Sequence, residues 1–192
     1  MKIPGVTKKG SYGYISNRRI VTLIRSVVLF ALSFSLYFFG LNKYDTNKNL
    51  FTIVSVLSFL PASGSFVNFV MFMRAKACSS EQRDEIEKND HHNACSYYDL
   101  FFTSEKKNYP VYHICIRDNT VIGLIDKRVD PAAIEKHIKD LLSADGYKEV
   151  TVKAFDDTGK YTERLSSLSG REPENEKLTH GIIDTLFSIS LS

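Results

Sequence analysis

Uninterrupted hydrophobic runs occur only between residues 20 and 73 of this chain. The first run, from Ile20 to about Leu41, contains a single charged residue, Arg25, near its amino end. A helix over this run is ~33 Å long, enough to cross a hydrocarbon core of about 30 Å. The second run, Leu50–Met73, contains no charged residue. The pattern predicts a two-helix transmembrane anchor over residues 20–73, and the first run is too long for a cleaved signal peptide.

The two predicted spans are joined by a short polar link, residues 42–49, so they form an antiparallel helical hairpin. Small residues four positions apart allow helix backbones to approach closely in a membrane. The first run offers Ala31 and Ser35, and the second offers Ser58 and Ala62. Either these two pairs form the contact surface between the helices, or they only reflect that small residues are common in any span.

Basic residues are distributed unevenly around the two spans. Nine lie before or just inside the first span or after the second: Lys2, Lys8, Lys9, Arg18, Arg19, Arg25, Arg74, Lys76 and Arg83. The link holds only Lys43 and Lys48, together with Asp45. Because basic flanks stay in the cytoplasm, we expect a two-pass protein of the cell membrane with both termini cytoplasmic. The basic amino-terminal arm, residues 1–19, suits an anionic inner leaflet, so the lipid bilayer is the first expected partner.

The overall net charge of +3 hides two oppositely charged parts. Residues 1–76 carry ten Lys and Arg and one acidic residue, whereas residues 77–192 carry fifteen and twenty-one. The second part is therefore acidic, at about −6. Binding to a phosphate backbone needs clustered cations, so no nucleic-acid partner is expected. Only three Cys are present, which excludes a disulfide-rich secreted scaffold.

Residues 79–192 show the alternation of helix and strand patterns that is typical of an α/β domain. The predicted strands are Leu100–Ser104, Val111–Ile116, Thr120–Ile125 and Val150–Phe155. The predicted helices are Ser79 to about Tyr98, Asp130 to Gly146, about Tyr161 to Gly170, and Pro173 onwards. The predicted fold is a membrane α-helical hairpin of two transmembrane helices, followed by a cytosolic α/β domain with a four-stranded mixed sheet flanked by helices.

The order helix, three strands, helix, strand resembles the core of the restriction-endonuclease-like fold. Nucleases of that family place an Asp near the second strand and an Asp/Glu-x-Lys motif on the third. Here Val111–Ile116 contains no carboxylate, and the third strand ends in Asp126-Lys127-Arg128, without that spacing. Glu105 and Lys107 have the spacing but lie in the first predicted turn. The resemblance therefore implies an inactive or divergent relative.

Four short segments carry a second resemblance: Asn47-Lys48-Asn49-Leu50, Leu60-Pro61-Ala62-Ser63, Tyr98-Asp99-Leu100 and Thr151-Val152-Lys153. In these segments the chain is similar to an uncharacterised family of small two-pass membrane proteins in anaerobic Gram-positive bacteria. The resemblance implies a location in the membrane and no particular activity.

His91, His92 and Cys95 are the strongest metal-ligand candidates. On a helix, His91 and Cys95 lie four positions apart and reach one ion, but this segment alone does not complete a zinc site. A complete site would need a distant ligand such as His113 or His180. We favour a polar helix face with a partly buried Cys, so no metal or cofactor is predicted.

Two further groups have the composition of a catalytic site. His113 and Cys115 alternate on one predicted strand, so their side chains face the same way, like a nucleophile and its base. Asp156 and Asp157 end the fourth predicted strand, where α/β sites often lie. Cys115 is better explained as a core residue, and adjacent strand residues such as the two Asp point to opposite faces. No catalytic residue is therefore predicted.

Three functions remain open. The leading hypothesis is a membrane-tethered, non-catalytic interaction or sensory module that acts on a protein partner in the cytosol or the membrane. The second is an enzyme with an unrecognised site, derived from a nuclease-like domain. The third is an accessory subunit of a membrane transport complex, with the span that contains Pro61 as its contact surface.

Overall fold

Two long helices, α1 (Tyr14–Tyr44) and α2 (Leu50–Arg74), follow one another in the amino-terminal part of the chain. The computed structural model describes residues 7–46, 48–90, 96–104, 107–170 and 175–191. The chain divides into two compact units, residues 15–75 and residues 7–14 with 76–191. Both helices are long and apolar enough to span a membrane, as the hydrophobic pattern predicts. The α2 helix continues through Pro61.

The two helices face each other through small and polar side chains. We call this surface the seam; it consists of Ser26, Ser33 and Gly40 on α1 and Ser55, Ser58, Ala62 and Ser65 on α2. The Ser26 hydroxyl donates to the Ser65 hydroxyl at 3.1 Å, and the Ser58 hydroxyl donates to that of Ser33 at 2.7 Å. The Ser55 hydroxyl donates to the Ser33 carbonyl at 2.7 Å. Small residues thus let the two backbones approach closely, and hydroxyl hydrogen bonds connect α1 to α2.

The seam confirms one predicted pair of small residues and corrects the other. Ala62 is fully buried, and Ser58 is hydrogen-bonded across the seam. Ala31 and Ser35 are exposed, because Ser33 between them faces α2. Residues two positions from Ser33 lie on the other side of a helix with about 3.6 residues per turn. A four-residue spacing identifies a helix face, but not which face meets the partner.

Both ends of the hairpin are closed by polar side chains. At one end, the Arg19 guanidinium donates to the carbonyl of Phe72 at 2.8 Å and also to the carbonyl of Ala75. At the other end, Asn49 caps α2 and donates through its amide to the Gly40 carbonyl at 3.2 Å. A cation at a helix carboxyl end satisfies carbonyls that have no partner within the helix.

The second unit contains the α/β domain. Its elements are α3 (Ser80–Asn89), β1 (Ser96–Thr103), β2 (Asn108–Arg117), β3 (Thr120–Ile125), α4 (Pro131–Ala144), β4 (Thr151–Phe155), α5 (Thr158–Ser169) and α6 (Glu176–Ile189). The sheet order is β1-β2-β3-β4. The first three strands pair antiparallel and β4 pairs parallel with β3, which confirms the predicted four-stranded mixed sheet.

Helices cover both faces of this sheet. On one face, Ile138 of α4 and Ile182 of α6 belong to the same buried cluster as Ile116 of β2. On the other face, Ile86 of α3 and Tyr161 of α5 belong to a second cluster. Both cores are apolar and fully shielded from solvent, and this requires helices on each side.

The first helix of the domain is shorter than predicted. The sequence pattern extends it to about Tyr98, but α3 ends at Asn89, and Ser96 already begins β1. Tyr98 pairs with His113 across the β1–β2 ladder. Pairing with β2 outweighs the local helical pattern at these aromatic residues. The predicted start of the last helix, Pro173, lies outside the described residues.

Residues 7–14, part of the predicted basic arm 1–19, pack on the domain. The Lys9 ammonium donates to the carbonyls of Phe187 and Ser190, each at 2.6 Å, at the carboxyl end of α6. The Tyr98 amide donates to the Gly10 carbonyl at 2.7 Å, which covers part of the open edge of β1. Gly10 has a φ of +83°, and a Cβ there would approach the Phe187 ring to 2.7 Å. This segment is built into the domain, and Lys9 caps a helix there.

Candidate functional site

A cleft of about 290 Å³ opens at the carboxyl ends of β3 and β4. Because these two strands are parallel, the residues that follow them meet at the same sheet edge, where α/β proteins often bind ligands. Asp126 follows β3 directly, and Asp156 follows β4. We call it the Asp126 cleft; its lining residues are Lys76, Gln82, Tyr112, Ile125, Asp126, Lys127, Arg128, Asp156 and Thr158.

The Asp126 carboxylate is buried and held by several donors. One oxygen accepts from the Tyr112 hydroxyl at 2.7 Å and from the Lys76 ammonium at 2.8 Å. The other accepts from the Arg128 side chain and from the Arg128 backbone amide, both at 3.0 Å. The backbone turns at this point, since the Val129 amide donates to the Asp126 carbonyl. The turn brings Arg128 back over the carboxylate.

These hydrogen bonds determine the charge state of Asp126. Burial by itself would raise the pKa of this carboxyl, but the bonds from Arg128, Lys76 and Tyr112 outweigh it and hold the pKa well below its ordinary value. Burial and the neighbouring Asp126 carboxylate raise the pKa of Tyr112 above its usual value. Asp126 is therefore an anion and Tyr112 a neutral phenol near pH 7, so neither is suited to exchange protons there.

The side chains that line the cleft carry a net positive charge. Lys76, Lys127 and Arg128 supply three cations, against the carboxylates of Asp126 and Asp156. The side chains of Lys76 and Arg128 remain 50% and 72% exposed although both pair with Asp126. This small basic site lies in a domain whose net charge is about −6 over residues 77–192. It is therefore a local exception to the acidic surface.

The two Asp residues after β4 have different roles. Asp157 is the N-cap of α5, where its carboxylate accepts from the Lys160 amide at 2.9 Å. Asp156 is exposed and lines the cleft together with Thr158. Asp157 is thus explained as a helix cap, and only Asp156 of the two lines the cleft. The structure instead brings Asp156 to the same cleft as Asp126, which is distant in sequence.

His113 and Cys115 lie on the same face of β2, as predicted, but His113 is hydrogen-bonded elsewhere. Its Nδ1 atom is 2.5 Å from the Tyr161 hydroxyl, and its ring contacts that of Tyr98 in a tilted arrangement, with 4.4 Å between ring centroids and 59° between ring planes. Burial lowers the pKa of His113 to about 3, so the imidazole is neutral at physiological pH. Cys115 is only 1% exposed and belongs to the buried cluster beneath α5. Both residues are parts of the core.

The structure bears on only some of the predicted metal candidates. His91, His92, Cys95 and Glu105 lie outside the described residues, and His180 is an exposed residue of α6. Within the part of the chain that the structure describes, no group of three or more His, Cys, Asp or Glu side chains is placed to hold a metal ion. Among the described residues, the Asp126 cleft is the candidate site.

Some residues of this cleft can be recognised in the sequence. Asp126-Lys127-Arg128 directly follows an apolar strand, a position typical of binding residues in α/β domains. The missing partners were Lys76 and Tyr112, which lie 50 and 14 positions earlier. No spacing rule connects residues so far apart before the sheet forms.

Comparison with known protein families, with curated proteins and with solved structures finds no match to this chain.

Proposed function

We propose that the chain is a two-pass membrane protein whose α/β domain is a cytosolic, non-catalytic binding module. The observation that carries this proposal is the distribution of exposed apolar surface. Among the described residues, every strongly exposed large apolar side chain lies between Ile20 and Met73. Leu50, Leu60 and Phe38 are 72%, 70% and 63% exposed. A continuous apolar surface of this kind is stable in contact with lipid and aggregates in water.

The interior of the hairpin supports the same conclusion. Its seam is made of Ser, Gly and Ala, Phe rings such as Phe30, Phe34 and Phe59 meet beside the seam, and the exposed surface is rich in Ile, Leu, Val and Phe. A helical pair in water has the opposite arrangement, because burial of apolar area is what holds it together there. In a bilayer, polar side chains face the partner helix and apolar side chains face the lipid.

The distribution of charge supports the orientation. The link between the helices carries Lys43 and Lys48, whereas the helix ends on the domain side carry Arg18, Arg19 and Arg74. Under the rule that basic flanks stay in the cytoplasm, the α/β domain is cytosolic. This orientation agrees with two thiols, Cys78 and Cys115, in the buried clusters of the domain.

A binding role is better supported than a catalytic one. Asp126, the buried carboxylate of the cleft, already accepts hydrogen bonds from three side chains and holds its proton too weakly to act as an acid. His113 is 0% exposed and cannot reach a substrate. The cations of the cleft are suited to hold a ligand.

The location is tested by labelling single introduced cysteines with a membrane-impermeant maleimide. Thr46→Cys, in the link, is expected to react in intact cells, and Glu163→Cys, exposed on α5, only after permeabilisation. The parent chain, which keeps its three native Cys, is the background control. Burial raises the pKa of Cys78 to about 12, which disfavours the reactive thiolate of that residue. Labelling of Glu163→Cys but not Thr46→Cys in intact cells would contradict the orientation. Recovery of the chain in the soluble fraction would contradict the membrane location.

A further inference from the structure

We propose that the Asp126 cleft binds a small phosphate ester that also carries hydroxyl groups. The cations Lys76, Lys127 and Arg128 would hold the phosphate. The proposal rests on the binding-module function proposed above, but not on the membrane topology. A phospholipid headgroup and a soluble phosphorylated polyol share this chemistry.

Arg128 has donors left over for a ligand. Its Nε and Nη2 atoms bond the two Asp126 oxygens at 3.0 and 3.3 Å. A guanidinium carries five N–H donors in a planar fork, and these two bonds use two of them. The side chain is 72% exposed, so the remaining donors are accessible from the cleft. Arg pairs with phosphate oxygens through this geometry.

Asp126 acts here as a positioning residue. Its buried carboxylate fixes the ammonium of Lys76 and the guanidinium of Arg128 on the same side of the cleft. Long basic side chains on a surface otherwise lose rotamer entropy when they bind. Because the Asp126 contacts already restrict these side chains in the folded domain, they lose less rotamer entropy when a ligand binds. Lys127, which is exposed beside them, adds a third cation.

The other lining groups restrict the kind of anion. Asp156 is an acceptor and repels a ligand with negative charge at both ends, whereas it can accept from a hydroxyl group. Thr158 and Gln82 add further polar groups to the lining. The volume of about 290 Å³ lies at the lower end of small-molecule sites, about 300 to 1,000 Å³. A headgroup or a small sugar or polyol phosphate fits these limits, and a nucleic-acid strand does not.

The short connection between α2 and Lys76 makes a lipid headgroup one of the two possible sources of the phosphate ester. Lys76 follows Arg74, the last residue of α2, with only Ala75 between them. Where α2 ends at the membrane surface, Lys76 lies within about 7 Å of chain from that surface. A soluble ester reaches the same cations from the cytosolic side, so the test needs one arm for each source.

The experiment uses the full chain, purified in a detergent without phosphate. In the first arm, glycerol 3-phosphate is titrated by calorimetry, with glycerol as the uncharged control. In the second arm, the chain is placed in nanodiscs of phosphatidylglycerol or of a phosphate-free glycolipid, and retained lipid is measured by native mass spectrometry. Each arm compares the wild type with Lys127→Gln, Arg128→Gln and Lys139→Gln. Lys139 is a matched exposed cation on α4, away from the cleft.

We expect saturable binding in at least one arm. Lys127→Gln and Arg128→Gln should each weaken it about tenfold, as expected for loss of one charge-assisted hydrogen bond. Lys139→Gln should bind like the wild type. Binding only to the soluble ester assigns a soluble ligand, and binding only to phosphatidylglycerol assigns a headgroup; either supports the shared chemistry. Absence of binding in both arms, or equal weakening by all three substitutions, would overturn the proposal. If the chain is inserted in the membrane but binds neither probe, the ligand proposed here is refuted and the membrane location is not. If the chain is soluble and binds one probe, the membrane location is refuted and the ligand is not.

Discussion

At the scale of single residues, the buried imidazole of His113 has an unusual environment. Tyr161 bonds its Nδ1 atom, and among the described residues its Nε2 atom has no hydrogen-bond partner. Burial depresses the pKa of His113 to about 3, compared with about 6.5 in an unfolded chain. The folded domain therefore excludes the protonated form, and its stability depends on pH.

The sign of this dependence follows from which state binds the proton first. Below about pH 6.5 the unfolded chain protonates at His113 while the folded domain does not, so stability is complete above that pH and falls as the pH drops toward about 3. The loss is at most about 1.4 kcal/mol per pH unit from this residue. We expect His113→Gln to lose less unfolding free energy than the wild type between about pH 7 and about pH 5.

Urea unfolding of the full chain in detergent, followed by the near-ultraviolet circular dichroism of the tyrosines, measures this difference. Carboxylates titrate in both proteins, so only the difference between the two curves reports on His113. Parallel curves for the wild type and His113→Gln would show that the imidazole is not buried in its neutral form.

At the scale of secondary-structure elements, the hairpin depends on how closely its two backbones approach. Gly40 is a point of close approach in the seam, because a Cβ there would lie 2.7 Å from the Phe51 Cβ and 2.8 Å from the Asn49 side chain. Gly64 on α2 offers a contrast, since a Cβ there meets nothing within 4 Å. The two glycines therefore separate close packing from the general effect of glycine in a helix.

We expect Gly40→Ala to destabilise the hairpin by about 1–3 kcal/mol, because the extra methyl forces α1 and α2 apart. Gly64→Ala should be neutral or stabilising by up to about 1 kcal/mol, since alanine favours a helix more than glycine does. Titration of both variants from a mild detergent into sodium dodecyl sulfate, followed by circular dichroism, measures the change. Equal stability of the two variants would place the close contact elsewhere.

At the scale of the whole molecule, the α/β domain is discontinuous in sequence. The chain enters the domain at residues 7–14, leaves it for α1 and α2, and returns at Lys76. The buried carboxylate of Asp99 joins the two segments, since it accepts from the Gly13 amide and the Cys78 amide, both at 2.8 Å. Asp99 has a φ of +55°, which an Asp adopts more readily than most residues. The ends of the two segments are therefore close together.

This arrangement predicts that the hairpin can be removed without loss of the domain. Replacement of residues 15–75 by a Gly/Ser linker of about four residues should yield a soluble, cooperatively folded protein. A fragment of residues 79–192 should be less stable by about 1–3 kcal/mol or more, because Asp99 then loses its bonds from Gly13 and Cys78. Urea midpoints of the two proteins test this order, and a more stable 79–192 fragment would contradict it.

Local patterns predicted most of the elements because they depend on neighbours in the chain. Asp130 caps α4 and Pro131 opens it, as their order in the sequence indicates. The hairpin turn at Asp118 and Asn119 lies between strands with the predicted bounds at Thr120–Ile125. The predicted end of α3 was wrong. Residues Ser96–Tyr98 continue the helical sequence pattern, but they pair with β2, which lies further along the chain.

Local patterns along the chain were sufficient to predict the two long apolar helices, the acidic domain and the order of helices and strands in it. These features follow from hydropathy, charge and capping, which act over a few neighbouring residues. The packing of the folded chain established that Ser33 and not Ala31 faces α2, and that Lys9 and Gly10 belong to the domain. It alone brought Lys76, Asp126 and Asp156 to one cleft. No local rule connects the residues in such contacts. Which side chains are buried and hydrogen-bonded depends on how the sheet, the helices and the chain from Lys76 onwards pack together.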